Sequence, residues 1–257
     1  MMERGYAAIR CERTYLYIKK TFLGKIGQVF YPMRTIETDE SIKYLEVRGL
    51  LEPLPNATST DYTNTVHIDL RRTSDEICKS LQKNKRWGVR KALERGAQAY
   101  CGETKACFDE FWGIYKATAK RKEIHVMPRK ILERIFNEKE ICKLFLVESR
   151  SKIIGAYMVL HSDELARFFY GGFLYEFKDY HPNELGHYTI IENLRERGLK
   201  IYDMGGTGKF PKKGDFKVGW GKIMKIYECR VYDSKFFEKA VEYYRKTELL
   251  YRKFFRR

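Results

Sequence analysis

Tyr202-Asp203-Met204-Gly205-Gly206-Thr207-Gly208-Lys209-Phe210-Pro211-Lys212-Lys213-Gly214-Asp215-Phe216-Lys217-Val218-Gly219-Trp220-Gly221 follows a strand-like run, Leu199-Lys200-Ile201-Tyr202. Six of the nineteen glycines of the chain and four lysines fall in this stretch. Gly205, Gly206 and Gly208 let a backbone turn sharply and approach a ligand, because no Cβ blocks positive φ. Phe216-Lys217 and Gly219-Trp220-Gly221 set one cation between aromatic groups on a backbone suited to close contact. Such an arrangement suits an anionic group or a developing oxyanion. Composition alone favours a plainer reading, a glycine-rich surface loop with solvated lysines.

Upstream of this stretch, three runs alternate as strands should: Lys143–Glu148, Ile153–His161 and Ala166–Phe173. The polar turns Ser149–Lys152 and Ser162–Glu164 join them, which predicts an antiparallel meander. Asn183 is expected to cap a helix through Arg197, ended by Gly198. Strand Lys200–Met204, the glycine-rich loop, strand Lys222–Asp233 and a basic C-terminal helix from about Ser234 complete the order. Nearer the N-terminus, Tyr15–Ile18 and Gln28–Tyr31 read as strands, and a Pro, Asn, Ser and Thr-rich loop at 53–64 reads as a boundary. Val66–Leu70 alternates as a half-buried strand. Thr73-Ser74-Asp75-Glu76 is a capping-box pattern opening one helix to about Gly96. Helices are also expected over Phe108–Lys120, with an aromatic stripe read as core, and from Pro128. The fold class that follows is α+β, a mixed layered domain.

On the expected helix 74–95, Lys79, Lys83, Arg86 and Arg90 form a stripe nearly opposite Ile77, Leu81, Gly88 and Ala92. No carboxylate lies inside that stripe, so phosphate contact and an ordinary solvated face are both open. The chain has 257 residues, a formal charge of +16 and 15% aromatic residues. That excludes a disordered chain and points to a polyanionic partner (RNA, an acidic membrane surface or a phosphorylated substrate), with charge that serves solubility alone as the plainer reading. The six cysteines show no C-x-x-C pair and no nearby histidine, so neither a metal site nor a disulfide framework is expected. No N-terminal run is long and apolar enough for a signal peptide, and no segment approaches a membrane span. The expected location is cytoplasmic, with room for peripheral contact with an anionic membrane at its inner face.

The order of meander, helix and strand resembles the GNAT acyltransferase fold. Several strings resemble the FemABX family of aminoacyl-tRNA-dependent peptidoglycan cross-bridge transferases. They are Val66–Leu70, Lys85-Arg86-Trp87-Gly88-Val89-Arg90-Lys91-Ala92, Phe169-Tyr170-Gly171-Gly172, Pro182-Asn183-Glu184-Leu185, Tyr202–Gly206 and Phe216–Gly221. They keep the family's order over about two-thirds of the chain. The chain departs from the family in its short region before Thr65, in lacking an inserted helical arm, and in Trp220 where a Phe is usual. The expected domains are therefore 1–64, the β-rich part of a reduced first GNAT-like subdomain, and 65–257, a GNAT-like transferase domain.

The resemblance implies transfer of an aminoacyl group from aminoacyl-tRNA to an amine on a nucleotide- or lipid-linked peptide acceptor. No cofactor and no obligate protein partner are implied; an ester is already activated, and no G-x-x-x-x-G-K-S/T string is present. The resemblance makes Lys217 the functional lysine, a cation for the tetrahedral oxyanion. Asp203 could accept a proton or orient the amine, or cap the turn at Gly205-Gly206. Tyr170 could hydrogen-bond substrate or lie in the core. Gly205, Gly206, Phe216, Gly219 and Trp220 would line the substrate, and Lys79, Lys83, Arg86 and Arg90 would meet tRNA phosphates. Neither His181 nor His187 has a Ser or Cys partner in a nucleophile motif, so no covalent mechanism is supported. Two other functions stay open: a CoA-dependent GNAT N-acyltransferase, and a non-enzymatic RNA- or membrane-binding protein. The usual Q/R-x-x-G-x-G/A string of CoA enzymes is missing from Leu174–Gly186, which reads LYEFKDYHPNELG.

Overall fold

The computed structural model describes residues 6–11, 14–21, 24–30, 42–55, 57–124, 126–162, 164–211 and 215–232, with residues 239 and 243. Two units divide the chain: 1–63 with 225–257, and 64–224. The C-terminal helix expected from Ser234 lies outside the described residues, 239 and 243 excepted.

In the first unit, β1 (Tyr6–Cys11), β2 (Thr14–Thr21), β3 (Gly24–Phe30) and β4 (Ile42–Leu50) lie side by side, with β11 (Lys222–Tyr232) beside β4. The β3–β4 pair is parallel, and β4 runs antiparallel to β11. Glu46 is fully buried and is met by Arg48 at 3.1 Å and Arg230 at 3.3 Å. Charge pairing of this kind is what makes a buried carboxylate tolerable.

The second unit carries a sheet in the order β5-β10-β9-β8-β7-β6. Its strands are β5 (Ser59–Asp69), β6 (Gln98–Gly102), β7 (Cys142–Ser149), β8 (Lys152–His161), β9 (Leu165–Phe173) and β10 (Ile201–Gly208). Strands β7, β8 and β9 form the expected antiparallel meander, and β10 joins β9 in parallel. The sheet is therefore mixed. β6 is a strand that the sequence reading missed; its five residues, Gln98–Gly102, show too short an alternation to stand out.

Helices cover both faces. α3 (Lys105–Arg121) approaches β9 so closely that a Cβ on Gly172 would lie 2.3 Å from the Thr118 hydroxyl. α5 (Pro182–Glu196) buries Leu185, Ile190, Ile191 and Leu194. α4 (Arg129–Asn137) buries Ile131, Leu132, Ile135 and Phe136, with Pro128 as its N-cap residue. A register shift between the Met158–Tyr170 and Val159–Phe168 pairs leaves Phe169 as the extra residue of β9. The bulge re-aims the neighbouring side chains. Phe168 thus meets His187 of α5, and Tyr170 meets Tyr115 of α3.

Three expectations need correction. The single helix over 74–95 is two: α1 (Ser74–Ser80) and α2 (Lys83–Glu94), separated by extended Leu81 and Gln82. The Gln82 N–H leaves the helical ladder to donate to the Gly219 carbonyl at 2.9 Å, a tertiary bond that local pattern cannot show. The capping box at Thr73 and Glu76 is present as expected. Asn183 does not cap α5; His181 is the N-cap residue at φ 51°, and the Asn183 side chain accepts from the Tyr157 hydroxyl at 2.9 Å. Lastly, Gly205–Gly208 belong to β10 rather than to a loop, pairing irregularly with β5. No helix among the described residues is long and apolar enough to cross a membrane.

His187 lies in the core with its Nδ1 2.9 Å from the Tyr202 hydroxyl. Burial, then the charges of Lys217 and Lys85, push its pKa from 6.5 down to about 3. The unfolded chain therefore binds the extra proton first, and stability present above pH 6.5 is lost as the pH falls toward 3. Between pH 7 and 5 the wild type should lose about 2 kcal/mol more stability than His187→Gln. Denaturant titration of both proteins checks this; parallel pH profiles would remove His187 from the account.

Candidate active site

Strands β9 and β10 pair in parallel at Leu165–Ile201, Ala166–Tyr202 and Arg167–Asp203, and no further pairing follows although both strands continue. The bulge at Phe169 turns one strand; Gly205, at φ +82°, turns the other. Lys217 enters at this divergence. Its Nζ donates to the Gly206 carbonyl at 2.8 Å and lies 3.4 Å from where a Gly205 Cβ would be. The Phe168 carbonyl is 3.6 Å from the same position. A side chain at 205 would be strained by the positive φ and would crowd the ammonium.

The Lys217 backbone is held as firmly. Its N–H donates to Asp215 Oδ1 at 2.9 Å, and Trp220 N–H donates to the Lys217 carbonyl at 3.3 Å. Burial lowers the Lys217 pKa, while the Asp215 and Asp203 carboxylates work against that fall and Arg167 and Lys122 add to it. The loop is anchored from the other side by Gln82. A Cβ on Gly219, at φ +95°, would lie 2.3 Å from the Gln82 side chain. The missing Cβ of Gly219 thus makes room for the Gln82 side chain.

Asp203 has no exposed surface. Its Oδ1 accepts from the Gly205 N–H at 2.6 Å and from the Thr65 hydroxyl. The carboxylate therefore does hold the glycine turn, one of the two roles expected for it. Oδ2 lies 3.4 Å from His67 Nε2. Burial pushes the Asp203 pKa up to about 7, with the Gly205 N–H and Lys217 pulling the other way. Burial, then Arg167, pushes His67 down to about 4. The contact is therefore one between a neutral imidazole and a carboxyl group.

The wall behind Lys217 is aromatic. Phe216 and Trp220 pack against each other and against His187, and Lys85 Nζ sits 4.3 Å from the Phe216 ring centre. Lys85 is buried, which lowers its pKa against the opposing pull of Glu184 and Asp215. Trp220 is also buried. Phe216 and Trp220 thus support Lys217 as a hydrophobic wall. Tyr170 is half-buried, its ring 5.0 Å from Tyr115 and 4.4 Å from Phe169.

The basic stripe does not lie on one helix, since Lys79 belongs to α1 and the others to α2. Lys79 and Lys83 are exposed. Arg86 folds back to donate to the Lys79 carbonyl at 3.1 Å and to the Leu81 carbonyl, closing the end of α1. Arg90 pairs with Glu94 at 3.5 Å, one turn on. The stripe is thus neither continuous nor free of carboxylate partners, because Glu94 stands four residues beyond its last member. His67, Arg167, Gln82 and Lys85 escaped the sequence reading as site residues. Alternation in Val66-His67-Ile68 does put His67 on the face opposite the core, but nothing local pairs it with Asp203. Among the described residues no cluster of His, Cys, Asp and Glu could hold a metal ion.

Against known proteins, residues 79–217 match the family described as an acetyltransferase (GNAT) domain. A lipid II:glycine glycyltransferase of Staphylococcus aureus is 30% identical over 70 residues, 27% of this chain and 17% of that protein. The chain thus matches about a sixth of the length of this relative. FemX superposes with a TM-score of 0.63 at 15% identity, covering 88% of this chain and 87% of FemX. The L-PGS structure from Bacillus licheniformis superposes with a TM-score of 0.55 at 7% identity, over 90% and 84% of the two chains. The architecture is accordingly FemABX-like, and by its sequence the chain belongs to the acetyltransferase (GNAT) domain family.

Proposed function

We propose that this protein is an acyltransferase that moves an aminoacyl group from aminoacyl-tRNA to the amine of a nucleotide- or lipid-linked cell-wall peptide. The observation that carries the reading is Lys217, whose ammonium is fixed at the divergence of two parallel strands by the Gly206 carbonyl. Attack of an amine on an ester carbonyl makes a tetrahedral oxyanion, and a preset cation stabilises it without reorganisation, by about 3 kcal/mol for one donor. A soluble tRNA donor needs a basic surface, and the charge of +16 supplies it. Exposed Lys79 and Lys83 are the residues for tRNA phosphates, with Arg90 beside them and Arg86 holding the α1–α2 junction.

The family match keeps one other reading in view, acyl transfer from acetyl-CoA. CoA enzymes need a free helix N-terminus for pyrophosphate. In α5 that end begins with Pro182, which has no N–H, and carries Glu184 in the first turn. Gly88 of α2 packs onto it so tightly that a Cβ there would lie 2.6 Å from Glu184 Cγ. A carboxylate and a covering helix both oppose a pyrophosphate, which favours the tRNA donor.

Incubation with a panel of charged tRNAs and wall precursors should yield peptide product by mass, while calorimetry should find no stoichiometric acetyl-CoA binding. Micromolar acetyl-CoA binding would reverse the choice of donor. Lys217→Met should lower kcat by about 10²-fold or more with KM less affected, since the oxyanion contact exists only during attack. A loss confined to KM would make Lys217 a binding residue instead. Replacing Lys79 and Lys83 together with Gln should reduce the slope of log affinity for tRNA against log salt by roughly 1–2. An unchanged slope would return both lysines to the solvated surface.

A further inference from the structure

Three strands bring a row of polar side chains together at the candidate site. Asp203 on β10 is the direct neighbour of His67 on β5 and of Arg167 on β9. Laterally paired residues project from the same face of a sheet, so the three side chains stand in line. The carboxyl in the middle is sealed from solvent, whereas the His67 side chain is 13% exposed. His67 Nε2 and Asp203 Oδ2 are both buried, and beyond their mutual 3.4 Å contact neither has a hydrogen-bond partner. A buried carboxyl oxygen and an imidazole nitrogen left facing each other cost free energy unless they serve one another. His67 thus joins a sealed carboxyl to a side chain that keeps some exposure.

We infer that His67 and Asp203 form a proton relay for the attacking amine, an inference that rests on the aminoacyl-transfer reading above. As the amine nitrogen bonds to the ester carbonyl carbon, the carbonyl π pair moves to oxygen beside Lys217. The nitrogen gives its proton to His67 Nδ1, and His67 passes its Nε2 proton to Asp203 Oδ2. When the ester C–O bond breaks, its electron pair goes to the ribose oxygen, and the proton returns by the same route to make the hydroxyl. No proton is gained or lost overall, and no co-reactant is needed. His67 is the catalytic residue of the pair, and Asp203 is a positioning residue that acts through it.

The surroundings suit this direction of transfer. Burial raises Asp203 and lowers His67, so a proton entering the pair rests on the carboxyl. The groups that act on the pair are Arg167 from β9, Lys217 from the loop, the Gly205 N–H from β10 and the Thr65 hydroxyl from β5. Two cations and two neutral donors all favour release of the proton once the leaving oxygen needs it.

Asp203→Asn keeps the oxygen that accepts from Gly205 and Thr65 but cannot take a proton; His67→Gln removes the imidazole. Single-turnover transfer from aminoacyl-tRNA, measured against pH, should rise through a group near 7 in the wild type. Each variant should lose that limb and about 10²-fold in rate, and the double variant should lose no more than either alone. A variant that keeps the limb, or a double variant whose losses multiply, would overturn the relay. Difference infrared spectroscopy supplies a readout without substrate: a buried carboxylic acid stretch titrating near pH 7 in the wild type and absent in Asp203→Asn. No such band would overturn the proposal directly. A wild type that shows the band yet transfers nothing from any charged tRNA would instead bring down the donor assignment, and the relay's role with it.

Discussion

Parallel pairing of β9 with β10 ends after Arg167–Asp203, and each strand is turned away by its own device. On β9 it is an extra residue, Phe169; on β10 it is Gly205 at φ +82°, a conformation open to glycine, with its N–H held by the Asp203 carboxylate. Two strands that would otherwise continue their hydrogen-bond ladder instead expose main-chain groups to something else. One of these, the Gly206 carbonyl, is taken by Lys217. The candidate site is built on that opening, where backbone polarity, a hydrogen-bonded lysine and the Asp203–His67 contact meet.

Keeping a lysine there takes support from several directions. The loop that carries Lys217 is braced by Asp215 below, by Trp220 and Phe216 against the His187 core, and by Gln82 across Gly219. The break between α1 and α2 belongs to the same construction. A continuous helix would spend the Gln82 N–H on its own ladder, and the loop would lose a backbone partner. Arg86 then closes the carbonyl end that the break exposes. A half-buried ammonium and a buried carboxyl are costly unless each is hydrogen-bonded, and here the Gly206 carbonyl, the Gly205 N–H and the Thr65 hydroxyl do that.

Much of the fold was legible because it is periodic. The β7–β9 meander, the Thr73 capping box, the aromatic stripe of α3 and the Pro128 start of α4 are each local patterns, and each appears within a few residues of its expected place. The errors share one cause. The α1–α2 break depends on Gly219, more than a hundred residues away, and Asn183 was drawn from its cap by Tyr157 on β8. The glycine run read as a loop because glycine lowers strand propensity, yet pairing with β5 extends β10 through it.

Within the candidate site the division is similar. Chemical character could be read from the chain itself: a lysine among glycines and aromatics, an aspartate two residues before a turning glycine, and a surplus of positive charge. These depend on residue type and near neighbours, which sequence states outright. Tertiary structure alone decided that Asp203 is sealed and faces His67, that Arg86 serves the helix junction, and that Glu184 and α2 cover the N-terminus of α5. Those are matters of strand register and helix approach. They are set by which distant surfaces pack together, and no spacing along the chain records that.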